Sequence, residues 1–227
     1  MKIGIIVAMQ KELQLLLPLI EEREEQEIDG YKFHKGSIGT HQVIVMQCGI
    51  GKVNSAIGTV RLIDNYSPDT IINTGVAGGA DSSMRVLDVL VATEVAYHDV
   101  WCGPGTVYGA AAGCEPILKP NGTIIDTARR ILKLPNVRYG LICSGDKFIS
   151  KVEEVAEIKH NFKDVLAVDM ESASIGQVSV MRGIPFNVIR VISDTPGEEE
   201  NISQYENFWV DAPMETFKVL VELLNNM

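Results

Sequence analysis

Lys2-Ile3-Gly4-Ile5-Ile6-Val7-Ala8-Met9 runs without a break into Gln10-Lys11-Glu12-Leu13. The apolar run from Ile3 to Met9, rich in β-branched residues, predicts a strand buried on both faces, and the polar residues after it predict an amphipathic helix. The run is too short to span a membrane. It also leads into Lys11 and Glu12 rather than a small-residue cleavage site, so it does not read as a secretory leader. The same alternation continues along the chain. Strands are predicted near 2–8, 31–38, 42–48, 70–74, 86–97, 137–143, 165–169 and 185–193, and helices near 11–22, 52–66, 123–133, 151–160, 172–182 and 210–225. Strands interleaved with helices indicate an α/β domain. Tyr31 to Ser37 and Gln42 to Cys48, joined through Gly39-Thr40-His41, form a predicted antiparallel hairpin, which makes the sheet mixed. Glu21-Glu22-Arg23-Glu24-Glu25 is expected to be the solvated end of the first helix.

The 227 residues carry 30 acidic against 20 basic side chains, a net charge of −10. This excludes the clustered basic surface that nucleic acid or an anionic membrane requires, so the expected partner is a small molecule or another protein. A single domain spanning 1–227 is expected, because no linker or repeat divides the chain. Cys48, Cys102, Cys114 and Cys143 form no Cys-x-x-Cys pair, which points to reduced thiols and a cytoplasmic location. The least regular stretches are Cys102 to Pro120 and the acidic Pro196 to Ser203, both candidates for functional loops.

Glycine clusters fall at predicted strand ends, where open α/β sheets bind ligands. Gly49-Ile50-Gly51-Lys52 is not a triphosphate loop, because the first glycine of that motif is missing and Val53 replaces the magnesium-binding hydroxyl. Gly75-Val76-Ala77-Gly78-Gly79 fits a tight turn or a close approach to a ligand. Glu12, Asp169, Glu171 and Asp194 stand just after apolar runs. Each alone fits a charge in a helix first turn, whereas several at one sheet edge would fit acid–base cleavage of a glycosidic bond. The four histidines lack metal spacing and no Gly-x-Ser-x-Gly elbow is present, so neither metal nor cofactor is expected.

Gly4 to Met9 with Glu12, Ser144-Gly145-Asp146-Lys147-Phe148-Ile149, Val168-Asp169-Met170-Glu171-Ser172-Ala173 and Arg190-Val191-Ile192-Ser193-Asp194 resemble 5′-methylthioadenosine/S-adenosylhomocysteine nucleosidases, a branch of the purine nucleoside phosphorylase superfamily. Gly49 to Lys52, Ile72 to Gly75 and Tyr97-His98-Asp99 extend the resemblance over nearly the whole chain. It implies a twisted sheet curling toward a barrel, a homodimer, and hydrolysis of adenine nucleosides bearing a 5′-thioether. By the same resemblance Asp194 protonates N7 of adenine, Glu12 activates water and Glu171 binds the ribose hydroxyls. Met170 packs on the ribose, Phe148 stacks on the purine, the Ile149 backbone reads the purine edge and Tyr205 lines the 5′ pocket. Ala8, Ile50, Val76 and Gly78 complete the substrate-binding set.

Two segments depart from the family pattern. Val76 stands where many relatives have serine, and Val100 to Gly105 differs from the usual segment after Tyr-His-Asp. A purine nucleoside phosphorylase would place phosphate beside Glu12, against Coulomb repulsion in a dry pocket. An aminofutalosine hydrolase would keep the same acid and base. A nucleoside-binding module has no use for both.

Overall fold

The computed structural model describes residues 1–111, 113–197, 200–211 and 217–227, with the side chains of 210 and 211 outside that description. Strand β1 (Lys2–Val7) lies at the centre of the sheet, parallel to β4 (His41–Gln47) on one side and to β5 (Thr70–Gly79) on the other. Its residues from Ile3 onward are buried, as expected of a strand covered on both faces. Helix α2 (Lys52–Tyr66) covers one face so closely that a Cβ on Gly4 would come within 2.5 Å of Leu62. The only residue that fits beneath that leucine is the one without a side chain.

Strand β5 changes partners along its length. Its first half pairs with β1, while its end pairs antiparallel with β8 (Val165–Asp169) through Gly78 and Gly79. The other edge of β5 runs parallel to β9 (Phe186–Asp194), which pairs in turn with β6 (Val89–Tyr97). With β7 (Val137–Ser144) between β6 and β8, strands β5, β8, β7, β6 and β9 close into a barrel. The single sheet thus consists of this ring and an arm of β1, β4 and two further strands, β3 (Tyr31–Ile38) and β2 (Glu21–Ile28). Helices α3 (Gly122–Ile131), α4 (Val152–Asn161), α5 (Ser172–Met181) and α7 (Lys218–Asn225) complete the α/β fold.

Four expectations need correction. Helix α1 (Gln10–Leu16) ends early, in a short 3-10 turn over Leu17–Leu19, and does not continue to residue 22. Pro18 has no N–H to extend the helix and its ring opposes the preceding turn. The acidic run from Glu21 is therefore not helical but an exposed edge strand, β2, paired antiparallel with β3. Glu25 meets Lys32 at 2.9 Å and Glu24 meets Lys35 at 3.4 Å, and such charges on an open edge discourage pairing with other chains. The acidic segment expected to be a loop around 196–203 already contains the first turn of α6 (Asn201–Asp211). The signal was the spacing of Ile202, Tyr205, Phe208 and Trp209, overlooked among acidic neighbours. The predicted helix at 210–225 falls partly outside the described residues, and its described part is α7. The glycine cluster at 75–79 is the end of β5, not a turn.

Phe33 of β3 is fully buried, with its ring 4.9 Å from that of Tyr66 at the end of α2, so it joins the arm of the sheet to its covering helix. Phe33→Ala should cost about 3–5 kcal/mol of unfolding free energy, measured by urea titration, with the barrel-end site still formed in the folded fraction.

Candidate active site

The barrel end brings together segments far apart in sequence. Ala8 and Met9 follow β1, Glu12 lies in the first turn of α1, and Val76 to Gly78 end β5. Val168 to Glu171 end β8, Arg190 to Asp194 end β9, and Tyr205 comes from α6. With Ile50 and Phe148 they line one cavity. Every expected site residue except Ile149 is on its wall. Ile149 lines a smaller adjoining cavity with Gly78, Phe148, Met170 and Asp194.

Glu12 is fully buried. Its Oε2 accepts the N–H groups of Ala8 and Met9, each at 2.9 Å, and its Oε1 accepts that of Val76 at 3.0 Å. The residue is both a first-turn acid of α1 and part of the pocket wall. Burial raises its pKa, opposed by the positive charge of Arg190 at 4.0 Å and by the backbone donors.

Asp194 has no charged hydrogen-bond partner among the described residues. Ser193 Oγ donates to its Oδ1 at 2.6 Å and Asn201 Nδ2 to its Oδ2 at 2.5 Å. Burial raises its pKa, and these two donors only partly offset that.

Glu171 Oε1 accepts the Gly51 N–H at 3.0 Å, and Lys52 N donates to Asp146 Oδ1 at 2.7 Å. The N-terminus of α2, which a phosphate loop would use, is thus already occupied by carboxylates. Burial pushes the Glu171 pKa up to about 7, with Arg190 lowering it and Asp169 raising it further.

Arg190 is the group that sequence reading left without a role. It is almost fully buried; its Nη2 lies 2.6 Å from Asp169, 3.4 Å from Glu171 and 2.7 Å from Asn73 Oδ1, and its Nη1 donates to the Val76 carbonyl at 3.3 Å. Asp169, held also by the hydroxyls of Ser144 and Ser172, anchors Arg190 and accepts the Ser172 N–H at 3.1 Å near the start of α5. A detectable signal existed. Arg190 is a lone charge inside the otherwise apolar Val188 to Ile192, and a charge buried in such a strand requires partners.

No group of three or more His, Cys, Asp or Glu positioned to hold a metal ion occurs among the described residues.

Residues 2–225 match the model of the phosphorylase superfamily. A 5′-methylthioadenosine/S-adenosylhomocysteine nucleosidase from Exiguobacterium sp. is 42% identical, the match covering 100% of this chain and 99% of that one. The chain belongs to this nucleosidase family. The Streptococcus pneumoniae nucleosidase, solved with the transition-state inhibitor MT-ImmA, is similar at 36% identity and a TM-score of 0.95, covering 100% of this chain and 99% of that one. A nucleosidase from Colwellia psychrerythraea, solved with adenine, is similar at 35% identity and a TM-score of 0.92, covering 100% and 95%.

In this nucleosidase fold the closest approach is at Gly75. Its φ is +144°, and a Cβ there would lie 2.1 Å from Glu12 Oε1 and 2.7 Å from Arg190 Nη1. Gly75→Ala should therefore displace both charged groups. The expected outcome is a loss of roughly 1–3 kcal/mol from overpacking, seen as a lower urea midpoint, together with loss of adenine-releasing activity. An unchanged midpoint and rate would show that the contact is not as tight as the geometry requires.

Proposed function

We propose that this chain hydrolyses the N-glycosidic bond of 5′-methylthioadenosine and S-adenosylhomocysteine, releasing adenine and a 5-thio-substituted ribose. The observation that carries the reading is the contrast between two buried carboxyl groups in one pocket. Burial raises the proton affinity of both, but Glu12 faces Arg190 and three N–H donors, whereas Asp194 has only neutral side-chain donors. Environments that differ in this way divide acid from base. Asp194 donates its proton to N7, and the C1′–N9 electron pair leaves with the purine. The negative charge of the pocket stabilises the resulting ribosyl cation. Water adds to C1′ as its proton passes to Glu12.

Glu171 accepts the ribose hydroxyls and Met170 packs beneath the sugar. Phe148 stacks on the purine, held by edge-on contact with Tyr205 at 5.6 Å between ring centres, and the Ile149 backbone reads the purine edge. Tyr205, whose hydroxyl reaches Met9 Sδ at 3.3 Å, closes the 5′-thioether end. Ala8, Ile50, Val76 and Gly78 supply the remaining wall. Phosphate is disfavoured as nucleophile, because Arg190, the sole cation on the described pocket wall, is already engaged by carboxylates.

Asp194→Asn should lower turnover of methylthioadenosine by at least about 10²-fold, and Glu12→Gln by about 10²- to 10⁴-fold with substrate binding retained. Wild-type rates should be the same with and without phosphate. Methylthioinosine, whose 6-oxo acceptor would face the carboxyl oxygen that accepts the 6-amino N–H of adenine, should be used about tenfold to a few hundredfold less well. A ribose 1-phosphate product would replace this reading with phosphorolysis.

We further assign the chain to the cytoplasm as one domain over 1–227, working as a homodimer. All four cysteines are unpaired, which suits a reducing compartment, and no described helix is long and apolar enough to cross a membrane. Val53 and Ile57 of α2 and Met181 of α5 line one surface groove, with Val53 67% and Met181 71% exposed. Gln177 in the same groove bonds to Cys114, so the patch continues into the loop that exposes Trp101 and Val107. Ile50 borders the substrate pocket while remaining 49% exposed, and a second copy seated on this face would shield the pocket mouth. Met181→Asp combined with Val53→Asp should convert the sedimenting species from dimer to monomer and raise KM. A wild-type monomer at micromolar concentration would overturn the assignment.

A further inference from the structure

Asn201 opens α6 and is as deeply buried as the carboxyl it touches. Its Nδ2 donates to Asp194 Oδ2 at 2.5 Å, while its own Oδ1 is buried without a hydrogen-bond partner among the described residues. The held oxygen lies beside Gly78 of the pocket wall, where an added Cβ would stand 3.4 Å away. Three residues along α6, Gln204 Oε1 accepts the backbone N–H of Thr195 at 2.8 Å and its hydroxyl at 2.7 Å, so the helix is docked to the end of β9 by a contact separate from Asp194.

We propose that Asn201 is the positioning residue for Asp194, an amide that can partner this carboxyl in both of its protonation states. The proposal rests on the nucleosidase reading above. With Asp194 ionised, the amide N–H satisfies Oδ2. With Asp194 protonated on Oδ2, a half-turn of the amide presents the unpartnered Oδ1 to the acidic proton. A buried carboxyl that loses its proton in every turnover would otherwise lack a partner in one state, which costs stability in that state. Ser193 can serve only Oδ1, which leaves Oδ2 to Asn201. As Asp194 transfers its proton to N7, the amide returns to donating and stabilises the carboxylate left behind. The charged and titratable groups sharing the pocket are Glu12, Asp169, Glu171, Arg190 and Tyr205, and none of them hydrogen-bonds Asp194.

The test is the pH dependence of adenine release from methylthioadenosine by the wild type, Asn201→Leu, Asn201→Asp and Gln204→Ala, each checked for folding by circular dichroism. Asn201→Leu keeps the volume and removes both donor and acceptor. It should lower kcat about tenfold or more, leave KM within a few fold, and move the alkaline limb to higher pH, because the charge-assisted donor lost by the ionised carboxyl outweighs the neutral acceptor lost by the protonated one. Asn201→Asp, nearly isosteric should the leucine variant fail to fold, sets a second carboxyl against Asp194 and should move the limb further in the same direction. Gln204→Ala removes the neighbouring contact to Thr195 and leaves Asn201 in place, so the limb should stay at its wild-type position. A wild-type alkaline limb in both Asn201 variants would overturn the proposal. An equal shift in Gln204→Ala would also overturn it, by showing that docking of α6 is all that matters. Absence of adenine release by the wild type would instead overturn the nucleosidase reading, and this proposal with it.

Discussion

The guanidinium of Arg190 is the charge on which the rest of the site depends. It lies within 4.0 Å of Glu12, Asp169 and Glu171, all of them buried. One positive charge cannot neutralise three negative ones in a medium that solvates charge poorly, so the excess appears as raised proton affinity. Burial pushes Glu171 up to about 7 and raises Glu12 as well, while Asp169, at 2.6 Å, is the partner held most directly. Arg190 thus does more than balance charge. By donating to the Val76 carbonyl while Val76 donates to Glu12, it fixes the end of β5 between the two charged groups.

Bringing that much charge to one point requires the backbone to yield space. Gly75 passes between Glu12 and Arg190 with no side chain, and its positive φ turns the end of β5 so that the Val76 N–H meets the carboxylate. Gly51, also at positive φ, turns its N–H to Glu171 at the start of α2. The glycine clusters therefore serve carboxylates, with backbone N–H groups doing for side-chain anions what they do for phosphate elsewhere. The substrate side of the pocket is lined by apolar and aromatic groups, including Met9, Phe148, Met170 and Tyr205. The division matches a ligand with a flat base, a sugar and a thioether.

Helix α6 links Asp194 to the pocket rim. Its first residue holds Asp194, and one turn later Tyr205 contacts Phe148 and Met9. Packing around Tyr205 and hydrogen bonding at Asp194 therefore share one element.

The sequence by itself determined the α/β class, the buried first strand and most strand positions, because period and β-branched runs are local properties that burial on both faces enforces. It also determined the family, and it singled out Glu12, Glu171 and Asp194, which the fold brings to one pocket. Some features were legible but passed over: Pro18, which ends α1, the lone Arg190 in an apolar strand, and the helical spacing in α6. Other features only the tertiary structure decided. Closure of the barrel depends on β5 exchanging β1 for β8, a choice between distant strands that no local pattern encodes. The acidic edge strand β2 exists because β3 offers it a partner, although its composition favours a solvated helix. Proton affinities at the site arise from burial and from charges brought together across more than a hundred residues of chain, as between Glu12 and Arg190. Both are properties of distance in space, which separation along the sequence does not set.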